Sequence, residues 1–136
     1  MPQVTGIAHI TLSVRDIRES LDFYRTVLGF KAVRTKDGKR MLTTECRSAC
    51  GMVLFLTQHE DHFNSLFDPR HAGADHIAFQ AASVAELELW EERLTELDVD
   101  HAPIVHGPDG SVLAFTDPDG IQLELFAPAE IGDDGD

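Results

Sequence analysis

Residues 73–128 read GADHIAFQAASVAELELWEERLTELDVDHAPIVHGPDGSVLAFTDPDGIQLELFAP, and residues 6–58 repeat the same order in a more divergent form. GIAHITL at Gly6 is echoed by GADHIAF at Gly73, which sets His9 and His76 67 positions apart. Phe23 and Trp90 keep that spacing, and GMVLFLT from Gly51 is echoed 69 positions on by GIQLELF from Gly120. A period of this kind means a duplicated unit, so whatever fold one half adopts the other should share.

Working outward, the local patterns name the elements. In 4–14, Ile10, Leu12 and Val14 alternate with His9, Thr11 and Ser13, the period of a strand with one buried face. Asp16 with Glu19 three positions on reads as a helix start, Ile17, Leu21, Tyr24, Val27 and Leu28 as the apolar stripe, and Gly29 as a left-handed stop. Strands are predicted over about 30–35, 40–46 and 52–58, the first two joined by the turn KDGK. After a linker at 59–72, Ser83 and Glu86 open a second helix with Val84, Leu87, Trp90, Leu94 and Leu97 along one face. Strands over about 102–106, 111–116 and 121–126 close the second half. The expected class is α+β: two βαβββ modules in tandem (4–58 and 73–128) in one domain 1–128. They should form a cup-shaped mixed sheet with helices outside, followed by a disordered acidic tail at 129–136.

Composition narrows the function. The 136-residue chain has 24 acidic and 11 basic residues, a net charge of −13. Such a field repels nucleic acid and anionic lipid, so neither is expected as a partner. No apolar run has the length of a membrane helix and the N-terminus lacks a leader pattern, which sets a cytoplasmic expectation. Cys46 and Cys50 lack a second Cys/His pair nearby and read as reduced thiols.

Alternation also divides the two faces. Ile10, Leu12, Ile77, Phe79, Leu123 and Leu125 belong under the helices. His9, Thr11, His76, Gln80, Glu124 and Phe126 then face the cavity. One histidine on a strand is ordinarily a structural residue. Two from equivalent strands, with a carboxylate from a last strand, suggest a metal site. By the repeat, Glu124 corresponds to Phe55 and Ala114 to Glu45.

HITLSVRDIRESLDFYRTVLGF (9–30), DHIAF (75–79) and DPDGIQLELFAP (117–128) resemble the vicinal oxygen chelate superfamily of glyoxalases, extradiol dioxygenases, fosfomycin-resistance thiol transferases and bleomycin-binding proteins. The resemblance covers residues 4–128 and implies metal ligands at His9, His76 and Glu124. The fourth ligand position of glyoxalase I falls on Phe55, which cannot ligate. Two histidines and one carboxylate leave open coordination positions and suit Fe(II) or Mn(II). Val105-His106, Leu113, Asp117-Pro118, Gly120 and Glu124 follow the extradiol pattern, but its tyrosine is Ala114 here.

The same resemblance points to an acid–base histidine at His62 or His59; His59 is favoured if its strand runs that far. Glu45 is a further candidate base if it faces inward and not a rim. Thr11 matches a threonine that assists fosfomycin enzymes. Val53, Phe55, Gln80 and Phe126 are the expected substrate-contacting residues. Arg34, Lys36, Lys39 and Arg40 straddle a turn, so no inward cationic cluster is expected and thiol transfer to fosfomycin is the weaker choice. The leading expectation is a metal-dependent, dioxygenase-like enzyme for a small oxygenated substrate, working as a homodimer. The rival is a metal-free binding protein of the bleomycin-resistance kind.

Overall fold

The computed structural model describes residues 1–129. The chain divides into two compact units, 1–65 and 66 onward, at a boundary inside the expected linker. The first holds β1 (Ile10–Ser13), α1 (Ile17–Leu28), β2 (Lys31–Gly38), β3 (Met41–Arg47) and β4 (Val53–His59). The second holds β5 (His76–Gln80), α2 (Val84–Glu96), β6 (Val105–His106), β7 (Gly110–Thr116) and β8 (Gln122–Pro128). The tandem βαβββ reading and the α+β class hold.

Each unit builds a four-stranded mixed sheet, ordered β1-β4-β3-β2 and β5-β8-β7-β6. In both, the first strand lies parallel to the last and the other pairings are antiparallel. A parallel pair cannot be closed by a tight turn, and the helix after the first strand supplies the start of the crossover. The helices begin where capping chemistry predicts. Asp16 Oδ1 accepts the amide hydrogens of Arg18 and Glu19 at 3.0 and 3.2 Å, and Ser83 Oγ accepts that of Glu86 at 3.2 Å. Gly29, at φ 78°, ends α1 in the left-handed conformation that a side chain would disfavour.

One face of each sheet packs on its helix. Tyr24, Val27, Phe30, Cys46, Leu54 and Leu56 are buried in the first unit, and Leu87, Leu94, Leu113, Leu123 and Leu125 in the second. Ile10, Leu12, Ile77 and Phe79 are only half-buried because β1 and β5 are edge strands. The opposite faces mix polar residues with Val53, Phe55, Ala114 and Phe126.

Some boundaries differ from expectation. β1 begins at Ile10; Val4 and Ile7 are 94% and 84% exposed and pair with no strand among the described residues. The strand expected over 102–106 shrinks to Val105–His106. Pro103, with no amide hydrogen, interrupts the ladder after the His101–Phe115 bridge. Leu97 caps α2 instead of extending its apolar stripe. Of the expected tail, Ala129 donates its amide hydrogen to the Asp109 carbonyl, and 130–136 lie outside the described residues. Among the described residues no helix is long and apolar enough to cross a membrane.

Candidate functional site

The second unit brings two of the expected ligands together. His76 opens β5 opposite Gln122, and Glu124 lies two residues further along neighbouring β8, opposite Ala78, on the same face of the sheet. His76 Nε2 stands 3.5 Å from Glu124 Oε1, and His76 Nδ1 stands 2.9 Å from Asp75 Oδ1. Asp75 is held in turn by Gln122, whose Nε2 donates to its backbone carbonyl and its carboxylate at 2.8 and 3.2 Å. The Asp75 contact comes first, and the Glu124 charge second, in raising the His76 pKa above its ordinary value.

This arrangement has a definite donor chemistry. With Nδ1–H donating to Asp75, a neutral His76 turns the lone pair of Nε2 toward a carboxylate oxygen. Two acceptors facing each other repel unless a proton or a cation lies between them. Ligand atoms bonded at about 2.0–2.2 Å and about 90–110° to one ion stand about 3–3.5 Å apart, the spacing found here. A carboxylate behind a ligating imidazole is also the usual support for a metal-binding histidine. The pair therefore fits a divalent cation. Among the described residues no group of three His, Cys, Asp or Glu side chains forms a metal cluster.

A cavity of about 530 Å³ adjoins the pair, with Asp75, Ala114, Thr116 and Gln122 in its lining. Ala114 sits opposite Glu124 in the β7–β8 register, and its small side chain leaves that side of the carboxylate open. The turn before β8 is tied by Asp117, whose Oδ1 accepts the amide hydrogens of Asp119 and Ile121 at 2.8 and 2.9 Å. Gln80 and Phe126 pair across β5 and β8 farther along the same face.

The first unit carries the remaining candidates. The His9 ring meets Phe55 edge-on, centroids 4.8 Å apart, so this histidine shares Phe55's face of the sheet. Thr11, Phe55, Glu45 and Arg34 form one transverse row across β1, β4, β3 and β2. Val53 pairs with Arg47 one row away. Glu45 does turn to this open face, yet its side chain is only 8% exposed. Arg34 Nε donates to its Oε1 at 3.0 Å and Arg47 Nε to its Oε2 at 2.9 Å. The Arg47 hydrogen bond, opposed by burial and aided by the charges of Arg34 and Arg47, holds the Glu45 pKa below its ordinary value. A carboxylate so engaged is a weak proton acceptor.

The expectation of no inward cationic cluster is corrected. Arg34, Lys36 and Arg47 belong to rows of the open face, beside Glu45, Thr43 and Val53. β4 runs through His59, in the parity of Phe55 and Thr57. His62 is exposed in the following loop, where its Nδ1 accepts the Asn64 amide hydrogen at 3.0 Å. Sequence reasoning missed Asp75 and Arg47. An acid directly before a candidate ligand was the available signal for Asp75.

A family model described as the Glyoxalase/Bleomycin resistance protein/Dioxygenase superfamily matches residues 6–125. The lactoylglutathione lyase of Neisseria meningitidis serogroup B (strain ATCC BAA-335 / MC58) is 33% identical over 135 residues, 94% of each chain. The catechol-2,3-dioxygenase of Bacillus subtilis (strain 168) is 28% identical across 90% of this chain. The present chain spans about two fifths of the length of the Bacillus subtilis relatives it matches. The crystal structure of a glyoxylase/bleomycin resistance protein/dioxygenase domain from Frankia sp. EAN1pec superposes with a TM-score of 0.89 at 30% identity, covering 95% of this chain and 96% of that one.

Proposed function

The chain belongs to the Glyoxalase/Bleomycin resistance protein/Dioxygenase superfamily, and from that premise we propose that it is a divalent-metal-dependent enzyme acting on a small oxygenated substrate. The observation that carries this reading is the 3.5 Å approach of His76 Nε2 to Glu124 Oε1 with Asp75 braced behind the ring. His76 and Glu124 would hold Fe(II) or Mn(II), with His9, of the same chain or of a second copy, as the third ligand. Such an ion supplies Lewis acidity toward substrate oxygens and, as iron, redox capacity.

The protein's own groups divide the remaining work. Asp75 fixes the His76 tautomer and keeps Nε2 free to ligate. Phe55, which the repeat matches to Glu124, cannot ligate, so three protein ligands would remain, which favours a dioxygenase-like reaction over a lyase. Val53, Phe55 and Phe126 give substrate an apolar wall, while Thr11 and Gln80 offer polar contacts. His59, at the end of β4, is the favoured proton carrier, with His62 as the alternative, since an imidazole nitrogen can both accept and donate a proton. Glu45 is left to bind its arginines. The reading carries with it a cytoplasmic setting and a homodimer.

Metal analysis after anaerobic reconstitution tests it. The wild type should hold iron or manganese stoichiometrically, and His76→Ala and Glu124→Ala should each lose most of it. Oxygen uptake with a panel of catechols then separates oxygenase from lyase activity. A wild type that binds no transition metal would transfer the chain to the metal-free binding reading.

A further inference from the structure

The first unit has a second chemically distinctive place, on the open face of its sheet. β2 and β3, with the turn joining them, hold six of the chain's 11 basic residues: Lys31, Arg34, Lys36, Lys39, Arg40 and Arg47. Asp37 and Glu45 are the only acids between positions 31 and 47. Charge on an exposed edge strand commonly guards against strand addition. Arg40 has its own acids, Glu60 at 3.7 Å and Asp61 at 3.2 Å.

Arg34 and Lys36 lie on that exposed edge strand, and they also line a cavity of about 220 Å³ with Thr43, Glu45 and Phe55. Two adjacent rows build it: Arg34–Glu45–Phe55 and Lys36–Thr43–Thr57. Glu45 is the buried anchor. It engages the Nε of Arg34 and of Arg47, which fixes both guanidinium stems. The terminal amino nitrogens of Arg34 and the ammonium of Lys36 have no partner among the described residues. One carboxylate against Arg34, Lys36 and Arg47 leaves local positive charge on a chain of net charge −13.

We propose that Arg34 and Lys36 form a subsite for an oxyanion group, carboxylate or phosph(on)ate, on the small substrate. This deepens the enzyme reading and rests on it for the word substrate. A guanidinium whose Nε is engaged still offers terminal N–H groups to oxygen acceptors, and a neighbouring ammonium adds a movable donor. Phe55 forms one wall of this cavity and also meets His9 edge-on. The oxyanion is therefore recognised one aromatic ring away from the proposed ligand His9. A suitable molecule carries a chelating oxygen pair at one end and a permanent negative charge at the other.

Calorimetric titration of the full chain, stripped of metal, tests the subsite separately from metal binding. The probes are benzoate, inorganic phosphate and, as a neutral counterpart, benzyl alcohol. Saturable binding of at least one oxyanion but not of benzyl alcohol is expected, and the preferred one identifies carboxylate or phosphate. Lys36→Met and Arg34→Met should each weaken it on the order of tenfold, with the metal content of reconstituted protein unchanged. Lys36 has no partner to lose, so its variant stays informative even if Arg34→Met unfolds. Absence of saturable oxyanion binding to the wild type, or unchanged affinity in Lys36→Met, overturns the subsite whatever the metal analysis gives. Oxyanion binding in a protein that takes up no metal keeps the subsite and removes the enzyme reading.

Discussion

His76 is the residue whose chemistry depends most on its neighbours. Its ring is 42% exposed, yet Asp75 and Glu124 raise its pKa, so the folded protein favours the imidazolium form more than the unfolded chain does. The sign follows: the stabilisation this pairing contributes is full below the unfolded pKa and is lost as pH rises through the raised folded value. Asp75→Asn should move the His76 midpoint down, as read from the ring proton shifts of metal-free protein by NMR. An unmoved midpoint would mean that Asp75 does not set the ring's protonation. Glu45 has the opposite sign, because its depressed pKa gives stability above the ordinary carboxyl value and loses it as pH falls through the folded value. The urea midpoint of Glu45→Gln should lie below that of wild type near neutrality, and the gap should close in acid. Alternation alone put His76 and Glu124 on one face, since a period of two needs no coordinates. It was silent about Asp75, whose side chain folds back on its neighbour.

Among the elements, the β7–β8 hairpin does most to position the site. Asp117 is buried and accepts two amide hydrogens of the turn that leads to Glu124, and Gly120 turns through φ 80°. Removing that acceptor leaves two amide donors unsatisfied. Asp117→Ala is expected to cost about 1–3 kcal/mol in chemical denaturation and to loosen metal retention. At the other end, a Cβ on Gly110 would fall on the Ala127 carbonyl and against the Phe126 ring at 2.7 Å. Gly110→Ala should therefore destabilise the second unit by about 1–3 kcal/mol, measured the same way. The helices were legible because caps and stripes are local signals. The last-half edge strand was not, because its length depends on where Pro103 interrupts a partner.

At the scale of the whole molecule, net charge of −13 makes the fold repel itself, and added salt screens that repulsion. The melting temperature at neutral pH should rise between about 0.05 and about 1 M KCl; a fall would mean that exposed ion pairs such as Arg25–Asp22 and Arg40–Asp61 outweigh the general repulsion. Duplication, the two helices, the strand alternation and the His76–Glu124 pairing all lay in the sequence, because each arises from short-range periodicity or a repeat. The cationic pocket did not. Ala32 pairs with Cys46 on the helix side, but the bulge at Val33 makes Arg34 pair with Glu45 on the open side. An extra residue reverses the alternation of everything after it, so Arg34 and Lys36 change faces without any change in spacing. Sequence alone determined which elements form and which residues could ligate. Only the tertiary structure decided which charges share a face, because a bulge is set by the partner strand and not by the residues that carry it.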